Sequence, residues 1–245
     1  MRNLMLTLCY DGTNYHGFQR QPVLITIQGV VEAALTEIFK TPIAIIGCSR
    51  TDAGVHARQY VCNFHCDGSI PAEKVPLALR ALLPEDICAL SCREVDAEFQ
   101  ARRCVKRKTY CYTINTAPCQ DVFRQRFEWH FHRDLDLYAM QQAAEALLGT
   151  HDFSAFMASG GDAPTTVRTI ETLRLAADGS RICMYITAQA YLYNMVRIIM
   201  GTLVSVGLHK MTVAQVAAAL KSGKRADAGM TAPPQGLVLY EVDVE

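Results

Sequence analysis

The sequence has no apolar run approaching the roughly 20 residues that a membrane-spanning helix needs, so no helical span is expected. It has no net charge either: 24 basic residues balance 24 acidic ones, and no global field marks the chain as a polyanion binder. It has no CxxC pair among its ten cysteines, which argues against the common zinc spacings. The nearest approach to a ligand set is Cys62-x-x-His65-Cys66, followed by Cys88-x-x-x-Cys92. Cys62 and Cys66 share a strand face with Phe64, where thiols behave as small hydrophobes, so reduced thiols are expected and zinc is the alternative. The opening stretch MRNLMLTLCYDG reaches an acid and a glycine too soon for a signal peptide, which gives a cytoplasmic protein as the expectation.

What is present is a globular composition. Half of the 245 residues are hydrophobic, enough for one large domain or two modest ones. Leu4 to Tyr10 alternates as a strand and runs into YDGTNYHGFQRQ, where aromatics interleave with amide and basic groups suited to stacking and phosphate contact; a turn with its aromatics in the core is the alternative. Thr26 caps a helix whose Ile27, Val30, Val31, Ala34, Leu35 and Ile38 form an apolar stripe.

Two apolar segments, Ile43–Ile46 and Tyr60–Phe64, then flank a polar loop over 49–57. The loop concentrates Asp52, Arg50, His56, Arg58 and Gly54, the way reactive groups are usually presented on a scaffold. An ordinary surface turn capped by Asp is the alternative. Helical spacing follows over Pro71–Leu83 and a strand over Ile87–Val95.

The second half begins near the run RRCVKRK, which places five basic residues in seven between Arg102 and Lys108. KTYCYTIN continues it as a strand with Tyr110, Tyr112 and Ile114 on one face. A helix over 134–148, a hairpin turning at Asp178-Gly179 and an almost wholly apolar helix over 193–206 come next. Arg197 is the one charge in that apolar helix, and a buried arginine needs a partner. Thr212 caps a short helix, and the chain closes on a strand over 237–242. No low-complexity linker separates the halves. The reading is α+β: two fused subdomains, 1–105 and 106–245, sharing one sheet with a cleft between them.

Six ordered motifs carry a resemblance. They are YDGTNYHGFQRQ at 10–21, SRTDAGVHA at 49–57, KTYCYTI at 108–114, GTHDFSAF at 149–156, LYNMVRIIMGTL at 192–203 and APPQGLVL at 232–239. With these the sequence resembles the tRNA pseudouridine synthase A family, the tRNA pseudouridine(38-40) synthases, nearly end to end. Ser49 stands where the family usually has Gly, and Tyr191 where it usually has Phe.

The resemblance implies the pseudouridine synthase fold, two similar halves sharing a mainly antiparallel sheet around a central cleft. It implies isomerisation of uridine to pseudouridine at positions 38, 39 and 40 of the tRNA anticodon stem-loop. Asp52 is then the nucleophile, Arg197 its ion-pair partner, Tyr110 lies against the target base and Arg50 helps displace the uridine. His56, Arg58, Lys106, Arg107 and Asn194 join them as expected substrate contacts, the basic run holding phosphates. The family works as a homodimer without metal or organic cofactor.

The chemistry is consistent with one carboxylate. Breaking C1′–N1 and forming C1′–C5 oxidises and hydrolyses nothing, so one Asp can suffice by adding to C6, by attacking C1′ or by assisting a glycal-like species. A glycoside hydrolase would need a second carboxylate, which the loop lacks. A non-catalytic or retargeted RNA-binding paralogue is the remaining alternative.

Overall fold

A computed structural model describes residues 1–244. The chain divides into two compact units, Met1–Lys106 together with the last strand from Val238, and Arg107–Leu237. Both are mixed α+β with mainly antiparallel strand pairing, and each has one short parallel contact among the described pairs. No helix among the described residues is long and apolar enough to cross a membrane.

The first unit contains β1 (Arg2–Tyr10), α1 (Ile27–Phe39), β2 (Ile45–Gly47), β3 (His56–Cys66), α2 (Val75–Arg80), β4 (Ile87–Val95) and the single turn α3 (Ala101–Cys104). β1 lies between β3 and β4, pairing Leu4 with Phe64, Leu6 with Cys62 and Leu8 with Tyr60. Flanked on both sides, β1 buries Asn3 to Leu8 without a break, as a central strand with both faces covered should. β2 pairs with the far end of β3, and the last strand, Leu237–Val244, adds to its beginning through His56 and Ala57. That pairing draws His56 and Ala57 out of the expected loop and into β3. α1 begins as expected, with the Thr26 hydroxyl accepting from the Gly29 N–H. The expected long helix over Pro71–Leu83 is a short 3-10 turn followed by α2.

The second unit contains all but the first two residues of β5 (Val105–Asn115), together with β6 (Trp129–His130), α4 (Leu137–Glu145), β7 (Gly149–Asp152), β8 (Val167–Asp178), β9 (Arg181–Ala188), α5 (Met195–Gly207) and α6 (Val213–Ser222). β5, β9, β8 and β7 neighbour one another in that order. The hairpin β8–β9 turns at Gly179, as its Asp-Gly signal suggests. α5 is buried on nearly every side, which is what an apolar sequence without a polar stripe requires. α6 starts on a capping box, Thr212 with Gln215.

Candidate functional site

In the first unit the site residues lie on the loop between β2 and β3. Asp52 is half-buried there, and its carbonyl oxygen closes a turn by accepting from the Val55 N–H at 3.1 Å. The loop is held from outside itself. The Phe18 N–H donates to the Thr51 carbonyl at 3.1 Å, and the Gly54 N–H donates to the Tyr15 carbonyl at 3.3 Å. The Tyr10 and Thr51 hydroxyls are 2.8 Å apart. Tyr15 is anchored by its own hydroxyl, which donates to Asp86 at 2.5 Å; burial, with Asp86 alongside, raises the phenol well above its ordinary range.

Gly17 makes the approach of these two motifs feasible. Its φ is +84°, and a Cβ there would stand 2.5 Å from the Thr51 carbonyl oxygen, so a side chain is excluded by conformation and by space. The first motif therefore braces the Asp52 loop, with its aromatics turned inward: Phe18 is buried and stacks on Tyr60 with centroids 4.2 Å apart.

Of the sequence-expected contacts, Arg50 stays exposed and makes no side-chain hydrogen bond or ion pair among the described residues. His56 is only 1 % exposed. Its Nδ1 lies 3.0 Å from both the Gly12 N–H nitrogen and an Asp11 carboxylate oxygen. The ring lies in the interior, where it braces the two motifs against each other. Arg58 is exposed and engaged within its own unit, where its guanidinium lies 4.7 Å from the Tyr240 ring centroid and donates to the Tyr240 hydroxyl at 2.7 Å.

The basic run is not one face. Arg102 and Arg103 sit on α3, Lys106 and Arg107 are exposed on β5, and Lys108 is buried. Strand alternation turns Lys108 inward. Arg107 lies 3.7 Å from Glu171 while remaining half exposed.

In the second unit Tyr110 projects from β5 and is 5 % exposed. The Tyr191 ring meets it edge-on at 5.0 Å. The Tyr191 hydroxyl lies 2.8 Å from the carbonyl oxygens of both Lys108 and Ile186, so the departure from Phe at this position is a satisfied buried hydroxyl. Arg197 projects from the first turn of α5. Its Nε donates to the Ala232 carbonyl and its Nη1 to the Asn194 side-chain oxygen, each at 2.7 Å. Asn194 precedes the helix in the left-handed region, φ 58°, a conformation that Asn adopts more readily than most residues. Tyr112 ties the 232–236 segment from the other side, its hydroxyl donating to the Pro233 carbonyl at 2.7 Å. Asn194 thus orients Arg197 within the second unit.

Glu32 holds this region together from within the first unit. It is buried in α1, ion-paired with Arg20, and accepts from the Gln28 amide and the Ile45 N–H at 2.9 Å each. Nothing in its sequence position signals this, because it lies beside the apolar stripe and reads as a solvent-facing charge.

The described residues contain no group of three His, Cys, Asp or Glu side chains placed to hold a metal ion. On β3, alternation places His65 on the face opposite Cys62 and Cys66, so the sequence-level zinc alternative does not assemble.

A family model described as tRNA pseudouridine synthase matches residues 8–102 and 143–244. The tRNA pseudouridine synthase A of Thermoanaerobacter sp. (strain X514) is 45 % identical over 242 residues, covering 99 % of both chains. The tRNA pseudouridine synthase A 2 of Clostridium perfringens (strain 13 / Type A) is 42 % identical over the same length and coverage. Every motif on which the resemblance rests except KTYCYTI lies wholly or mainly within the matched segments, and the chain belongs to the tRNA pseudouridine synthase A family.

Proposed function

We propose that this isomerase uses Asp52 as its nucleophile to convert uridine to pseudouridine at positions 38, 39 and 40 of the tRNA anticodon stem-loop. The observation that carries the proposal is the rigid presentation of Asp52: its loop is fixed by backbone bonds from Phe18 and Gly54 and by the Tyr10–Thr51 hydroxyl contact. A fixed carboxylate can meet a base or a sugar carbon without reorganising.

The atom balance is simple. The C1′–N1 bond breaks, the uracil turns, C1′–C5 forms, the C5 hydrogen leaves as a proton to solvent, and N1 gains one. A carboxylate can serve by bonding to C6, by bonding to C1′ or by assisting proton loss to a glycal-like species. A uridine inside a stem must first leave the stack, and an aromatic ring such as Tyr110 can then lie against it. Arg50, exposed and uncommitted beside the nucleophile, is suited to help displace the uridine. The enzyme works as a cytoplasmic homodimer on this reading, and sedimentation of the purified protein tests the oligomeric part.

The test is tRNA carrying tritium at uridine C5. Forming C1′–C5 expels that hydrogen, so tritium in water without free uracil is expected. Free uracil would identify a hydrolase. Binding without tritium release would identify a non-catalytic paralogue.

A further inference from the structure

A cavity of about 280 Å³ lies in the first unit between the Phe18–Gln19 segment, α1, β2 and the turn that starts α3. Its floor is set. Phe18 is fixed by stacking on Tyr60, and the Gln28 amide is fully used, donating to Glu32 and the Ile45 carbonyl and accepting from the Arg20 N–H.

Its rim is the opposite. Arg50, Arg102, Gln19 and Gln100 line it, and none of these side chains has a hydrogen bond or ion pair among the described residues. No carboxylate lines the cavity, and Glu32 behind its wall is occupied by Arg20.

Two guanidinium groups without a counter-charge call for an anion, and their planar forks match phosphate oxygens. Carboxamides present a donor and an acceptor together, which suits the edge of a nucleobase. The volume is at the small end for ligand pockets: room for one nucleotide, not for a base pair. Position identifies which nucleotide. Arg50 is two residues from Asp52, at most about 7 Å of extended chain, and the Phe18 N–H bonded to Thr51 joins the cavity floor to the same loop.

We infer that this cavity binds an unpaired nucleotide adjacent to the target uridine, its phosphate on Arg50 and Arg102 and its base edge against Gln19 and Gln100. The inference rests on Asp52 being the reactive group. Extruding the target already unstacks its neighbour, so a site for that neighbour would hold the opened strand.

The test uses a stem-loop RNA with C5-tritiated target uridine, measuring both equilibrium binding and tritium release. Arg102 and Gln19 are exposed, so Arg102→Ala and Gln19→Trp are expected to fold with unchanged Tm. Arg102→Ala should raise Kd and KM about 10-fold, leave kcat within about twofold, and flatten the log Kd against log salt slope by about 0.7 to 0.9, one phosphate contact. An abasic nucleotide on one side of the target should weaken wild-type binding similarly, and on that RNA Gln19→Trp should add no further loss. Unchanged Kd and salt slope for Arg102→Ala, or a Gln19→Trp effect that adds fully on RNAs abasic at either side, overturns the subsite. Absence of tritium release from the wild type would overturn the catalytic reading instead, while the binding measurements still decide the subsite.

Discussion

The backbone N–H of Phe18 donates to the carbonyl oxygen of Thr51 across 3.1 Å. This bond joins two motifs that are 33 residues apart in sequence, and it places the residue before Asp52 under the control of the segment around Gly17. The precision of the Asp52 loop is therefore a property of the first motif as much as of its own turn.

Gly17→Ala should damage both stability and turnover. The left-handed conformation alone costs an alanine about 1 to 2 kcal/mol, and the Cβ would also press on the Thr51 oxygen at 2.5 Å. A total loss of about 2 to 4 kcal/mol is expected in urea unfolding, with kcat reduced at least about tenfold because the shift reaches Asp52. Gly179→Ala is the control: φ there is +58° with nothing within 4 Å of the added Cβ, so about 1 kcal/mol is lost and turnover persists. Equal kcat values for the two variants would show that the brace does not position Asp52 for turnover.

Asp52→Asn keeps the shape of the side chain and the backbone turn to Val55 while removing the charge. Tritium release should fall below detection, and the RNA dissociation constant should stay within about threefold, since phosphate contacts dominate affinity. Residual turnover near the wild-type rate would mean that another group reacts.

Arg197→Lys tests the orientation of the guanidinium. An ammonium is a single point of donors and lacks the planar fork with which Arg197 reaches the Ala232 carbonyl and the Asn194 oxygen through two separate nitrogens. A stability loss of about 1 to 3 kcal/mol is expected, and a fall in kcat of about 100-fold. Asn194→Ala should reproduce part of the loss, and the two changes should be less than additive, because they break the same bond. Full additivity would separate their roles.

Much of this was legible in the sequence where local rules decide. The Thr26 and Thr212 caps, the Asp178-Gly179 hairpin and the buried α5 follow from short-range patterns. What escaped depends on distant partners. His56 reads as a loop residue beside Asp52, yet the ring turns inward because Gly12 and Asp11, more than 40 residues upstream, wait there. The basic run reads as a patch until β5 alternation buries Lys108 and Glu171 meets Arg107. Arg102 gains its significance only from the cavity that Phe18 and β2 build beside it.

Removal of divalent metal should leave activity intact. Cys62 and Cys66 are buried on one face of β3 and His65 lies on the other, so chelation by all three would require the strand to twist apart. EDTA treatment, with the tRNA kept folded in monovalent salt, should not change kcat. Loss of activity restored specifically by zinc would contradict this.

The cysteines still have chemistry of their own. Cys111 and Cys183 lie diagonally across β5 and β9, where Thr113 is the direct partner of Cys183. The Thr113 hydroxyl is 3.9 Å from the Cys111 sulfur and 3.8 Å from that of Cys183. The neighbouring Cys111 thiol favours a thiolate at Cys183 against burial and lowers it from its ordinary value, while the Cys183 sulfur and burial push Cys111 up. The half-buried Cys183 should therefore be more ionised at neutral pH than an ordinary cysteine, of which only a few per cent is thiolate there. Iodoacetamide labelling of the folded enzyme should modify Cys183 ahead of Cys9, whose thiol burial raises. The pH profile of the Cys183 rate should lie below that of an ordinary cysteine. Replacing the neighbouring thiol, Cys111→Ala, should move that profile upward. A Cys183 labelling profile centred near pH 9 in the wild type would show that the two thiols do not share a proton.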